Sequence, residues 1–210
     1  MDDASEKLKA TYKALQEKNL APVCVSGGFN LLESKFPYMW SSKVLTINTF
    51  KNKYLQWYPS LVEDDLMLGR ADQATNPNVV YDMRISHIVN LLDMSQLKVF
   101  SHVSYLLVPL GDSEDQELLS VLPRIFKFIT DALETGGRVL IHCDQGVNRA
   151  AAVTLAYLMA DKGCTLEDAY FFLESLRPTI QPAYHFLKQL TNYEAEIFGR
   201  KLSNIDDLEF

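Results

Sequence analysis

A three-layer α/β domain, with a central, mainly parallel sheet flanked by helices, is the architecture this 210-residue sequence predicts. Three observations lead there. Leu66-Met67-Leu68, Ile88–Leu92, Tyr105–Val108 and Val139–Ile141 are short apolar runs flanked by polar residues, as expected of strands buried in a sheet. Stretches with apolar residues at helical spacing alternate with them, which favours crossover connections. The last run passes through a short loop holding one glycine, Cys143-Asp144-Gln145-Gly146-Val147-Asn148-Arg149, into the apolar helix Ala150–Met159.

The elements follow in order. Leu8, Tyr12 and Leu15 sit at helical spacing in a charged background and predict an amphipathic helix over Ser5–Lys18. Val23-Cys24-Val25 is a short strand candidate, broken by Gly27-Gly28, and Phe29–Phe36 can form a further helix before Pro37. Ser41–Trp57 is a polar and aromatic connector. The first strand of the main domain, Leu66–Leu68, ends at Gly69-Arg70, and the Ile88 and Tyr105 runs supply two more. Gln116–Leu133 carries Leu119, Leu122, Ile125, Phe126 and Ile129 on a helical stripe, which Gly136-Gly137 closes. The helix after the cysteine loop is apolar nearly all round and should lie mid-domain. Thr165-Leu166-Glu167-Asp168 reads as a capping box with Asp in the place of Glu. Pro178 and Pro182 bracket a turn before a last helix over Ala183–Phe198.

Composition is globular: 48% hydrophobic and 22% charged residues, with nine glycines and eight prolines. The net charge of −7 argues against nucleic acid or an anionic membrane as the main partner. Cys24, Cys143 and Cys164 are three, widely spaced, and without metal-ligand or redox-motif spacing. The polar opening Met1–Lys7 does not suggest a signal peptide, and no apolar run approaches membrane-spanning length. The expectation is a soluble, cytoplasmic protein in a reducing compartment, using neither metal nor cofactor.

A strand, an anion-sized loop and a helix start make a phosphate cradle. Backbone N–H groups and the positive helix end face the bound oxyanion. The same field stabilises a thiolate, which marks Cys143 as a nucleophile rather than a buried structural thiol. Residues Asp144, Gln145, Gly146, Val147 and Asn148 would surround the phosphate, and Arg149 would clamp two of its oxygens with its planar fork. His142, one residue before the nucleophile, should face the other way on its strand and orient the loop rather than act as a base. Asp144 would oppose the thiolate if it pointed inward, so it is expected to point to solvent.

Together, His142, Cys143, Gly146 and Arg149 form the H-C-x-x-G-x-x-R signature, and here the chain resembles the cysteine-dependent protein phosphatases, specifically the dual-specificity branch. The likeness extends over residues 57–198, through Leu66–Gly69, Ile85–Asn90 and the closing Arg177-Pro178-Thr179-Ile180-Gln181-Pro182 with Phe186, Gln189 and Leu190. It implies the three-layer fold of that family over residues 55–205. Thiolate attack needs a proton for the departing oxygen. The resemblance puts the donor in the loop Val108–Asp115 at Asp112, with Glu114 and Asp115 as rivals that could equally be helix N-terminal charges. Arg177 stands as either a substrate contact or a member of a structural ion pair.

Residues 1–45 resemble the closing part of a rhodanese-like module, as found before the catalytic domain in MAP-kinase phosphatases; a non-homologous N-terminal cap is the alternative. The whole chain is similar to the phosphoserine/threonine/tyrosine-interacting-like proteins, several of which lack the cysteine that this sequence keeps. Two departures from the family stand out. Ala150 replaces the Ser or Thr whose hydroxyl helps thiolate leave when water breaks the phosphocysteine, which predicts a slow second step. Ala183 replaces an Asn, which removes a supporting hydrogen bond. No lysine lies between Cys143 and Arg149, unlike in the phosphoinositide-selective branch, so the implied substrates are phosphotyrosine and phosphoserine/threonine in proteins, among them a MAP kinase. The rival reading is a binding or scaffold module that holds a phosphorylated partner with little turnover.

Overall fold

Val139–Cys143, the apolar run before the loop, forms the central strand of a five-stranded sheet. The computed structural model describes residues 3–18, 57–93 and 99–207. The strands are β1 (Ser60–Glu63), β2 (Leu66–Arg70), β3 (His87–Asn90), β4 (Ser104–Leu107) and β5 (Val139–Cys143), in spatial order β1-β2-β5-β3-β4. β1 runs antiparallel to β2; the other three pairings are parallel. Register places Arg70 opposite Cys143 and Asn90 opposite His142. The carboxyl ends of three strands therefore meet at the loop.

Among the described residues that follow β1, the α-helices are α2 (Ala71–Ala74), α3 (Pro77–Asp82), α4 (Leu118–Glu134), α5 (Arg149–Lys162), α6 (Leu166–Leu176) and α7 (Tyr184–Phe198), with a 3-10 turn at Ile205–Asp207. Side chains alternate across the sheet. Leu66, Leu68, Val89, Val139, Ile141 and Cys143 join one core with α4, α5, α6 and α7. Met67, Ile88 and Leu140 are equally buried but alternate to the opposite face, and Val79, Val80, Met83 and Ile85 are likewise buried outside the first core. α5 is buried along Ala150–Met159, which agrees with its apolar circumference, and it ends on Gly163 in the left-handed conformation.

Boundaries differ from the sequence reading for physical reasons. Leu91 and Leu92 leave the ladder because the Asn90 side chain accepts from Leu92 N–H at 2.8 Å and turns the chain. β1 was not foreseen, since in Ser60-Leu61-Val62-Glu63 Val62 alone is buried. At the start of α6, Thr165 accepts from Asp168 N–H, but the shorter Asp carboxylate takes the Thr165 hydroxyl at 2.7 Å. In the separate unit of residues 1–42, α1 (Asp3–Glu17) is a helix as expected, with Tyr12 and Leu15 half-buried on an otherwise exposed surface among residues 9–18. The strand and helix expected at Val23–Phe36, the thiol of Cys24 and the connector up to residue 56 lie outside the described residues. No helix among the described residues is long and apolar enough to cross a membrane.

Candidate active site

Cys143 ends β5 at 2% exposure on the α5 face of the sheet, and His142 beside it turns to the other face. Burial drives the His142 imidazole down to about 4, so it is neutral at physiological pH, with Nδ1 3.3 Å from the Cys143 carbonyl oxygen. That matches a residue that shapes the loop and does not exchange protons.

Residues 144–148 then turn tightly into α5. Gly146 has φ of +65°. A side chain there would strike the Gly69 carbonyl oxygen and come within 3.0 Å of Arg177 Nη2, so the position is closed to other residues on two counts. The loop's carbonyl groups are each held from outside. Ala71 N–H donates to the Asp144 oxygen at 3.1 Å and Gln181 N–H to the Val147 oxygen at 2.9 Å. Arg177 serves the two between them: Nη2 donates to the Gln145 oxygen at 3.0 Å and Nε to the Gly146 oxygen at 2.8 Å. In a trans peptide the N–H points opposite to the C=O. Holding four consecutive carbonyls outward turns the N–H groups of Gln145 to Asn148 into the loop, where a phosphate can meet them.

Arg177 makes no ion pair among the described residues. It is buried and braces the cradle through carbonyl oxygens, with a longer reach of 3.5 Å to Ser60 Oγ. Burial, reinforced by the nearby Arg70, lowers its guanidinium below the ordinary arginine value, and the Cys143 and Asp72 charges pull the other way. Arg70 itself is engaged by Asp72 in a paired contact at 2.7 and 2.8 Å. Asp144 is exposed, as expected, and its carboxylate accepts from Gln145 Nε2 at 3.3 Å.

Across the loop, Arg149 begins α5 and reaches the segment before α4. Its Nη1 donates to the Leu110 carbonyl oxygen at 3.1 Å, and Nε stands 2.8 Å from Asp112 Oδ1. The Nε contact is an ion pair without hydrogen-bond alignment, so this buried N–H can still meet an incoming acceptor. Asn148 Nδ2 also donates to Asp112 Oδ1, at 3.1 Å. Of the three candidate acids, Asp112 is the one tied to the cradle. Asp115 is fully exposed and is pulled below the ordinary carboxylate range by Ser113 and its own backbone N–H; Glu114 is exposed.

The loop carrying Asp112 is pinned by side chains that the sequence reading did not single out for this role. Gln116 Oε1 accepts from Gly111 N–H at 2.9 Å, while Gln189 of α7 accepts from Leu118 N–H and donates to the Gln116 carbonyl oxygen. Ala183 N–H donates to Asn148 Oδ1 at 2.7 Å, a backbone bond independent of the side-chain hydrogen bond that alanine cannot make. Ala150 is fully buried at the first turn of α5 and brings no hydroxyl. Among the described residues, no group of three or more His, Cys, Asp or Glu side chains is placed to hold a metal ion.

Residues 66–196 match the family model described as "Dual specificity phosphatase, catalytic domain". A "Probable rhodanese domain-containing dual specificity protein phosphatase" of Dictyostelium discoideum is 30% identical over 195 residues, covering 91% of this chain and 41% of that protein. Human dual specificity protein phosphatase 16 is 30% identical over 178 residues, 82% of this chain and 27% of its own length. The chain thus spans less than half the length of these relatives. Among solved structures, human tyrosine phosphatase-like serine/threonine/tyrosine-interacting protein superposes with a TM-score of 0.63 at 27% identity, covering 68% of this chain and 99% of the other. Human DUSP28 does so with a TM-score of 0.62 at 30% identity, covering 67% and 95%.

Proposed function

Because this chain belongs to the dual specificity phosphatase family through the catalytic domain at residues 66–196, we propose that it hydrolyses phosphotyrosine and phosphoserine/threonine in proteins. Cys143 is the nucleophile, Arg149 the clamp and Asp112 the general acid. The observation that carries this is the meeting of Asp112 with Asn148 and Arg149, 36 residues further on in the case of Asn148, at the mouth of the loop that ends β5.

The cycle has two displacements. The Cys143 thiolate attacks phosphorus, a sulfur–phosphorus bond forms, and the bond to the leaving oxygen breaks as Asp112 gives that oxygen its proton. Inward N–H groups of residues 145–148 and the Arg149 fork stabilise charge on the equatorial oxygens. In the second half Asp112 takes a proton from water, the oxygen attacks phosphorus, and thiolate departs to leave inorganic phosphate. With Ala150 in place of a hydroxyl residue, thiolate departure loses a donor, so phosphocysteine accumulates.

A phosphoprotein-binding module with little turnover is the second reading, and buried Ala150 is the observation that favours it. The finer substrate assignment, a MAP kinase, rests on the likeness of residues 1–45 to the module preceding such catalytic domains. We likewise assign residues 1–45 to a rhodanese-type closing segment and 55–205 to the phosphatase domain, in a cytoplasmic, reducing setting. The division of the chain into units 1–42 and 43–210 supports those bounds.

Hydrolysis of a small aryl phosphate, compared with Cys143→Ser and Asp112→Ala and with intact mass taken after rapid quenching, tests this. Turnover lost in Cys143→Ser, and lowered about 100-fold in Asp112→Ala, is expected, with a transient phosphate adduct on the unaltered protein. Turnover equal to that of Cys143→Ser, with phosphopeptide binding kept, would establish the binding module instead.

A further inference from the structure

We infer that Asn148 is the positioning residue for the general acid: it holds Asp112 over the cradle once Arg149 has turned to the substrate phosphate. The inference rests on the phosphatase reading above. It starts from what Asn148 does not do. Asparagine at a helix N-cap ordinarily accepts from the N–H groups of the first turn. Asn148 is the N-cap of α5, yet its side chain makes no capping bond. A capping bond would hold the side chain against the N–H groups of Ala150 or Ala151; without one, the amide can reach other segments.

The side chain goes elsewhere, and its orientation is determined. Ala183 N–H can only donate, so the atom 2.7 Å from it is the amide oxygen. That turns the NH2 group to Asp112, whose Oδ1 it reaches at 3.1 Å. One amide therefore links three segments: the loop of the cradle, the start of α7 and the loop of the acid.

Both contacts on Asp112 fall on the same oxygen. Arg149 Nε and Asn148 Nδ2 each approach Oδ1. Oδ2 is left to carry the proton toward the leaving group. Arg149 has two demands on it, since its fork must also meet the phosphate. When it does, Asn148 is the remaining grip on Oδ1. Asp112 has a side chain more than half exposed, at 55%, so this grip sets the acid's aim.

The test uses two aryl phosphates, one with a good leaving group that needs no protonation and one with a poor leaving group that does. Unaltered protein, Asn148→Ala, Asn148→Asp, Asp112→Ala and both double variants are compared, with Cys143→Ser as the blank and thermal unfolding as the fold control. Asn148→Asp keeps an acceptor for Ala183 N–H while removing the donor to Asp112. Its added charge also faces the Asp112 carboxylate, so Asn148→Ala, which adds none, decides the comparison. We expect each Asn148 variant to lose about tenfold more kcat/KM on the poor leaving group than on the good one, and this difference to vanish in the Asp112→Ala background. Equal losses on the two substrates, or the same difference without Asp112, would overturn the inference and leave the phosphatase reading standing. No Cys143-dependent turnover on either substrate would overturn both.

Discussion

The two halves of the active site are built differently. The cradle, from Val139 through α5, is braced: β5 is buried along its whole length, four loop carbonyls are tied to three residues on two other segments, and Gly146 lies against Gly69. The acid loop, Val108 to Glu117, is held at its base by Val108 and Leu110, whose N–H groups reach the carbonyls of Asn90 and Leu91. Beyond that, residues 112–115 are exposed and depend on a few polar side-chain bonds. A thiolate and its phosphate need donors fixed before the reaction, because reorganising dipoles during it is costly. A proton donor needs the opposite, to meet leaving groups of different shape. The difference therefore separates what the chemistry fixes from what the substrate may vary.

That contrast predicts a steep order of effects on stability. Gly146→Ala should be largest, about 3–5 kcal/mol, because it combines a positive φ with a collision against backbone. Urea unfolding measures it, and a loss under about 1 kcal/mol would mean the loop can relax away from Gly69. Next is the pH response of His142. Its folded-state value near 4 lies below the unfolded value of 6.5, so folding favours the neutral ring. Stability from this group is complete above pH 6.5 and declines as pH falls toward 4, by about 3 kcal/mol in all. His142→Gln should remove that step from a stability–pH curve; an unchanged curve would place the titration elsewhere.

Arg177→Met sharpens the comparison by removing one brace. It orphans two carbonyl oxygens at roughly 1–3 kcal/mol each, but also removes a buried charge that has no carboxylate partner among the described residues. A net loss of about 2 kcal/mol in urea unfolding is expected, together with a fall in turnover that thermal stability alone does not account for. Full activity with the same stability loss would show that the loop keeps its shape without Arg177.

How much of this could be read in advance follows the same division. The proposed nucleophile, its loop and the proposed clamp lie within Cys143–Arg149, a contiguous motif that spacing alone can pick out. The buried circumference of α5 and the alternation of His142 against Cys143 were legible for the same local reason. Arg177, Gln116 with Gln189, and Asn148 act through partners 31 to 73 residues away, and no spacing rule reaches that far. The short helices α2 and α3, of four and six residues, are below the length at which periodicity registers. Asp112 fell between these cases. The loop was identifiable, but three carboxylates in four positions could be separated only by seeing which one met Arg149.

Asp112→Ala is where the comparison is most exposed to refutation, because the expected effect on stability is the smallest. Asp112 loses an ion pair and one hydrogen bond, both at a side chain more than half exposed. Exposed pairs contribute about 0–1 kcal/mol, and alanine leaves nothing of its own unsatisfied. The unpaired Arg149 Nε gains access to water or phosphate, which offsets part of the loss. A change under about 0.5 kcal/mol in urea unfolding is expected, beside the roughly 100-fold fall in turnover. Stability and catalysis would then be uncoupled at the acid and coupled at Gly146 and Arg177. A loss above about 1.5 kcal/mol would show that Asp112 is part of what holds Arg149 and α5 in place. The two halves would then be one cooperative structure, and the acid loop could not be varied without disturbing the cradle.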